Sequence, residues 1–242
     1  MFFGRIEMIG KQYVVAALSA GVTASFALAQ APDDYGDVGI KVENGRVVTK
    51  AMSEPFPGGV NFNDSRVFSG EFIVQGGLTF TDEPGLFAQD NTFAPGSVFS
   101  VNILKALRVW NGTNFDNISS ERLRLELGLA SVFTPTADSL VAGLAFDVPF
   151  SGGFDQHFDA FLVDSTLANS TATGIFLLEV EYSNSILTGG PSLPNFILFN
   201  NNASATEFDA ASEYVTNTLV PTPASGALMA LGALVATRRR RG

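Results

Sequence analysis

The chain has no cysteine, one histidine and one tryptophan among 242 residues. Without thiols it has no disulfide framework, no thiolate nucleophile, no Cys-ligated zinc and no iron–sulfur cluster. A lone histidine leaves a zinc site short of nitrogen ligands. Positive charge is scarce as well. There are 14 Lys and Arg against 24 Asp and Glu, and Arg5, Lys11 and four terminal arginines sit in the two chain ends. The stretch between those ends carries eight cations against 23 acids, a formal charge of −15. Nucleic-acid binding needs Lys and Arg to neutralise phosphates, so this balance excludes it. Acidity on this scale gives solubility and self-repulsion, and it attracts divalent cations.

What the sequence does have is two uncharged apolar runs, one at each end. Arg5 and Lys11 precede a charge-free stretch over 13–28, which closes on Ala27-Leu28-Ala29. A positive start, an apolar middle and a small-x-small exit make a secretory signal, with cleavage before Gln30. The run is short of the ~20 residues that a stable membrane span needs, and Asp33, Asp34 and Asp37 follow it at once.

At the other end, Val220-Pro221-Thr222-Pro223 stops any helix from extending backward. An uncharged small-residue stretch over 224–237 follows, and Arg238, Arg239, Arg240 and Arg241 close it. The arginines read as a stop-transfer cluster held on the cytoplasmic side. This layout resembles the PEP-CTERM sorting signal of exosortase substrates, with Thr222 where that family's Val-Pro-Glu-Pro motif has glutamate. The resemblance covers about the last 23 residues and implies a route. It implies export through the Sec translocon, signal-peptidase cleavage, a temporary hold in the inner membrane, and exosortase processing near the proline motif. The destination is the cell surface or extracellular matrix, often beside exopolysaccharide. A plain C-terminal membrane anchor is the alternative reading of the same residues.

The divisions expected are therefore a signal peptide over 1–29, one domain over 30–219, and a sorting tail over 220–242. The middle reads as strands. Asn44-Gly45 inside 37–50 is a type I′ hairpin signal. In 121–129, Leu123, Leu125, Leu127 and Leu129 alternate with Arg122, Arg124 and Glu126, which is the period of a half-buried strand. In 174–182, Phe176, Leu178, Val180 and Tyr182 share one face, opposite Ile175, Leu177, Glu179 and Glu181. Further strands are expected within 66–74, 98–110, 140–148, 157–164 and 195–199. The best helical segment is 205–215, where Phe208, Ala211 and Val215 recur at helical spacing. Short strands with Gly/Pro punctuation, and 22 phenylalanines that bring no polar atom into a core, indicate an all-β domain. The expected form is an antiparallel β-sandwich of jelly-roll kind. The RVFSGEF segment, Trp110-Asn111-Gly112, the strand around His157 and FNNNASATEFDAASEYV also resemble a domain of planctomycete exported proteins, whose function is unassigned.

Three groups of residues are candidate sites. His157 stands in FDQHFDAFLVD, where Asp155 and Asp159 share its face if the strand is regular. A histidine beside carboxylates can act as a base or hold a metal. The sequence has no Gly-x-Ser-x-Gly elbow to supply a nucleophile, and the plain reading of His157 is a strand residue. Asp33, Asp34 and Asp37 offer oxygen ligands to Ca2+, against the plain reading of a solvated N-terminus. Trp110 with Asn111 and Asn114 is the pattern of a sugar-stacking loop, against the plain reading of a core tryptophan at a strand end. No catalytic constellation is visible, and no cofactor is implied apart from Ca2+. The expected role is a non-enzymatic surface or matrix protein, structural or adhesive. A carbohydrate-binding module and a secreted hydrolase are the alternatives, with extracellular polysaccharide the partner in the first of these.

Overall fold

The computed structural model describes residues 36–53 and 61–220. The signal exit at Ala27, Ala29 and Gln30, the acids Asp33 and Asp34, and the tail from Pro221 through Arg241 lie outside the described residues.

Asn44 and Gly45 take φ of 53° and 72°, the left-handed pair that a type I′ turn requires. They fold β1 (Val38–Glu43) antiparallel onto β2 (Arg46–Ser53), with Val38 opposite Ala51 and Glu43 opposite Arg46. β3 (Asn61–Asp64) pairs with the other side of β2. On the free side of β1 lies β7 (Leu86–Ala88), parallel to it, and then β13 (Phe154–Gln156), antiparallel to β7. A second sheet is antiparallel throughout and runs β11 (Ala130–Phe133), β10 (Arg122–Leu127), β14 (Asp159–Val163), β6 (Leu78–Thr81), β5 (Ile73–Gln75). The third runs β12 (Val141–Asp147), β8 (Val98–Ile103), β15 (Gly174–Asn184), β16 (Asn195–Asn201), β4 (Val67–Glu71), with β9 (Arg108–Val109) also paired to β15.

The domain is mostly β, as expected, but it is not purely antiparallel. The β1–β7 and β4–β16 pairs are parallel. Parallel neighbours need long connections, and both pairs join strands that are distant in the chain, where no turn signal speaks for orientation. Alternation also runs past its strand at Leu129. Gly128, at φ 59°, and Leu129 form the turn between Leu127 and Ala130, and Leu129 is fully exposed.

β15 separates two apolar clusters by its two faces. Phe176, Leu178, Val180 and Tyr182 enter the main core, which also takes Val38, Ile40 and Leu86 from the first sheet and Leu123, Leu125 and Leu162 from the second. Ile175 and Leu177 face the other way, with Phe196 and Leu198 of β16, onto a smaller cluster that includes Ala211 and Val215. Those two residues belong to α1 (Ala205–Tyr214) and to the π-helical turn Val215–Leu219 that continues it. Ser204 starts the helix with a capping box. Its hydroxyl accepts from the Glu207 N–H, and the Glu207 carboxylate accepts from the Ser204 N–H, so two backbone donors that the first turn leaves open are satisfied. Among the described residues no helix is long and apolar enough to cross a membrane.

Candidate functional site

The first and second sheets exchange chain at two neighbouring places. One link, Asp82 to Gly85, carries the chain from β6 to β7, and the other, His157-Phe158, carries it from β13 to β14. Val38, Leu86 and Gln156 form the last paired row across β1, β7 and β13. One step beyond that row stand Asp37, Gly85 and His157, side by side. Gly85 has no Cβ, so the side chains on either side close over it. A Cβ there would lie 2.5 Å from Asp37 Oδ1 and 2.6 Å from His157 Cε1.

The geometry around the ring follows from this row. The Gly85 N–H donates to Asp37 Oδ1 at 3.0 Å and lies 3.3 Å from Glu83 Oε2. His157 Nδ1 lies 3.1 Å from the carbonyl oxygen of Asp82. Nε2 lies 3.5 Å from Asp155 Oδ1 and 3.9 Å from Asp37 Oδ1, and Glu83 Oε1 lies 3.9 Å from Nδ1. Asp37 is well covered, with 15% of its side chain exposed, whereas Asp155 is 67% exposed. The cluster is therefore anchored inside and open outside.

Burial shifts these groups. It pushes the Asp37 carboxyl above its ordinary range, and Asp155 adds to the push while His157 and the Gly85 N–H oppose it. Glu83 is raised for the same reason, with Asp37 as the next contributor. For His157, burial pulls down, but the Asp82 carbonyl and the carboxylates of Asp37, Glu83 and Asp155 together outweigh it, so the ring is raised.

The sequence places Asp155, His157 and Asp159 on one face. The structure brings Asp155 to the ring but carries Asp159 into β14 of the second sheet, opposite Glu126. The regular alternation behind that expectation is broken where the chain changes sheets at His157. Of the three N-terminal acids, Asp37 belongs to this cluster, and Asp33 and Asp34 lie outside the described residues. The Asp82 carbonyl and Gly85 are the partners that the sequence does not assign to a site; the acidic pair Asp82-Glu83 and the Glu-Pro-Gly turn are legible there, their neighbours are not.

Trp110 lies elsewhere. Its ring is half-buried, 5.0 Å from Phe115 and 5.6 Å from Tyr214 by centroids, against the smaller cluster. Asn111 and Asn114 do stand beside it, but much of their side-chain polarity serves their own loop. Asn111 Oδ1 accepts from the N–H groups of Thr113 and Asn114, and Asn114 Oδ1 accepts from Asn111 Nδ2 and the Asp116 N–H.

Two clefts gather positive charge. One of about 490 Å³ includes Arg46, Lys50 and Arg66 in its lining, and one of about 670 Å³ includes Arg66, Lys105, Arg108, Phe115 and Tyr214. Lys50, Lys105 and Arg108 pair with carboxylates there. Arg66 donates to the Pro194 carbonyl at 3.2 Å and forms no ion pair among the described residues.

No protein-family model matches this chain, and no curated protein matches it.

Proposed function

We propose that this chain is an exported cell-surface or extracellular-matrix protein, sorted through a PEP-CTERM and exosortase route, with a structural or adhesive role beside exopolysaccharide. Its β-rich part is read as a jelly-roll-like sandwich, which the main apolar core, fed by all three sheets, supports. The observation that carries the sorting reading is the tripartite tail of Val220-Pro221-Thr222-Pro223, an uncharged stretch and four arginines. The Sec translocon, signal peptidase and exosortase are the partners this route requires.

Deleting 220–242 is expected to remove the protein from the surface fraction of its native host. Intact mass of the wild-type protein recovered there should begin at Gln30 and end within Val220–Pro223. A truncated protein still found in the same fraction, or a surface form that retains Arg241, sinks the sorting reading.

Carbohydrate binding is the second reading, and the larger cleft favours it. In a domain of formal charge −15, that cleft has Arg66, which forms no ion pair among the described residues, and the half-buried Tyr214 in one lining, while its Lys105 pairs with Glu179 and its Arg108 with Asp138. One unpaired guanidinium and one accessible aromatic ring in the same cleft suit an acidic sugar polymer, the ring for a sugar face and the cation for a carboxylate. Titrating the host's own polysaccharide against wild-type protein and Arg66→Ala should show binding weakened about tenfold, roughly the 1.4 kcal/mol of one charge-assisted contact. Equal binding by both removes the cleft from consideration.

A further inference from the structure

We propose that Asp37, Asp155 and His157 form a binding site for one divalent transition-type ion, with zinc as its representative and a solvent-facing coordination position left open. The argument begins with the imidazole. The Asp82 carbonyl oxygen can only accept, so its 3.1 Å contact with Nδ1 places a proton on that nitrogen. In the neutral ring Nε2 is then a bare acceptor, and it faces two more acceptors, Asp155 Oδ1 at 3.5 Å and Asp37 Oδ1 at 3.9 Å. Three lone-pair donors directed at one another repel unless a positive centre lies between them, either a proton taken up by Nε2 or a metal ion that displaces it.

The spacing suits a metal ion. Zinc binds histidine nitrogen and carboxylate oxygen at about 2.0–2.2 Å, which in a tetrahedron sets ligand atoms roughly 3.4 Å apart. One ligand atom from each of the three residues lies within 4.8 Å of the others, so closure on an ion asks for only small movements of these side chains. Exposed Asp155 is free to make them. The outer contacts are already in place. Nδ1–H is held by a backbone carbonyl, and Asp37 is oriented by the Gly85 N–H at 3.0 Å. Such second contacts fix a ligand histidine's tautomer and a ligand carboxylate's direction. Glu83 sits on the Nδ1 side of the ring, where it adds negative charge without entering the set. One nitrogen is fewer than zinc sites usually hold, and the carboxylate oxygens of Asp37 and Asp155 make up the difference; the nitrogen still selects against Ca2+ and Mg2+, which take oxygen. The site thus differs in composition from a calcium site built on Asp33, Asp34 and Asp37.

The single histidine makes the test direct. The full chain, labelled in its histidine ring, is titrated with Zn2+ while the ring signals and the heat of binding are followed. One Zn2+ per chain should bind, move the ring signals of His157 to a saturated position, and bind at least tenfold more tightly than Ca2+ or Mg2+. Asp155→Asn, at an exposed position that keeps the fold, should weaken Zn2+ by at least tenfold. His157→Gln should do so by more, with unchanged circular dichroism. Asp33→Asn with Asp34→Asn should leave the affinity as it was. The assignment is overturned if Zn2+ binds without moving the ring, if Asp155→Asn binds as wild type, if the loss follows Asp33 and Asp34, or if Ca2+ binds more tightly.

Discussion

Phe99→Ala is expected to lower the unfolding free energy by about 3–5 kcal/mol, the range for truncating a buried aromatic ring. Phe99 is wholly inaccessible, and its ring meets four others. The centroids lie 4.9 Å away at Phe154, 5.5 Å at Phe93 and Phe146, and 6.0 Å at Tyr182. Phe146 faces it directly across the β8–β12 pair, while Phe154 belongs to β13 of the first sheet. The ring therefore ties two sheets together, and truncation leaves a hole that no single neighbour can fill. Domains of this kind have about 5–15 kcal/mol in all, so the loss is a large share of the total. Denaturant unfolding of the full chain measures it. Phe150→Ala serves as the reference, because Phe150 is 95% exposed and should change stability by no more than about 0.5 kcal/mol. Equal midpoints for the two variants would contradict the core described.

The features legible in the sequence are those in which adjacent residues decide the outcome. Asn44-Gly45 is one, since two neighbours supply both left-handed angles of the turn. The split of 174–182 into two apolar faces is another. Period two assigns Phe176, Leu178, Val180 and Tyr182 to one side, and they line the main core; Ile175 and Leu177 go to the other, and they meet the helix. The helix is readable from Phe208, Ala211 and Val215, and it runs where expected with one turn of altered pitch after it. Where pattern and turn chemistry compete, as at Gly128-Leu129, the turn wins, because glycine takes the left-handed angle that closes the hairpin between Leu127 and Ala130, and Leu129 in that turn belongs to neither strand face.

The candidate site lacks any such local signal. β7 and β13 are three residues each, too short for alternation to register, and both owe their place to pairing with distant strands. The row Asp37, Gly85, His157 comes from three segments far apart in the chain. Asp37 stands out by its charge and His157 by its singularity, and neither can point to the other. Asp159, two residues from His157, is the neighbour that sequence suggests, and the change of sheet removes it. Gly85 has nothing to recommend it beyond a Glu-Pro-Gly turn, yet it is the residue that lets the others meet.

Gly85→Ala should accordingly abolish most of the cluster's character at little structural cost. The added Cβ would lie 2.5 Å from Asp37 Oδ1, 2.6 Å from His157 Cε1 and 2.8 Å from Nδ1, all closer than atoms tolerate. Gly85 is not at a positive φ, so alanine meets no backbone strain of that kind, and the obstructing atoms are ends of side chains that can swing out. Stability should fall by about 1–3 kcal/mol at most, the range for modest overpacking. The ring and the Asp37 carboxylate, however, can no longer face each other. Without any metal, the titration of His157 should move down toward the ordinary histidine value of about 6.5. The contacts with Asp82, Asp37, Glu83 and Asp155 that raise it are loosened, and what remains is burial, which lowers it. With Zn2+ present, affinity should drop by one to two orders of magnitude, the effect of disordering ligand support. Ring NMR against pH reads the first effect and calorimetry the second. A fallen titration with intact zinc affinity would place the ion elsewhere, and an unmoved titration would mean that Gly85 does not hold the row together.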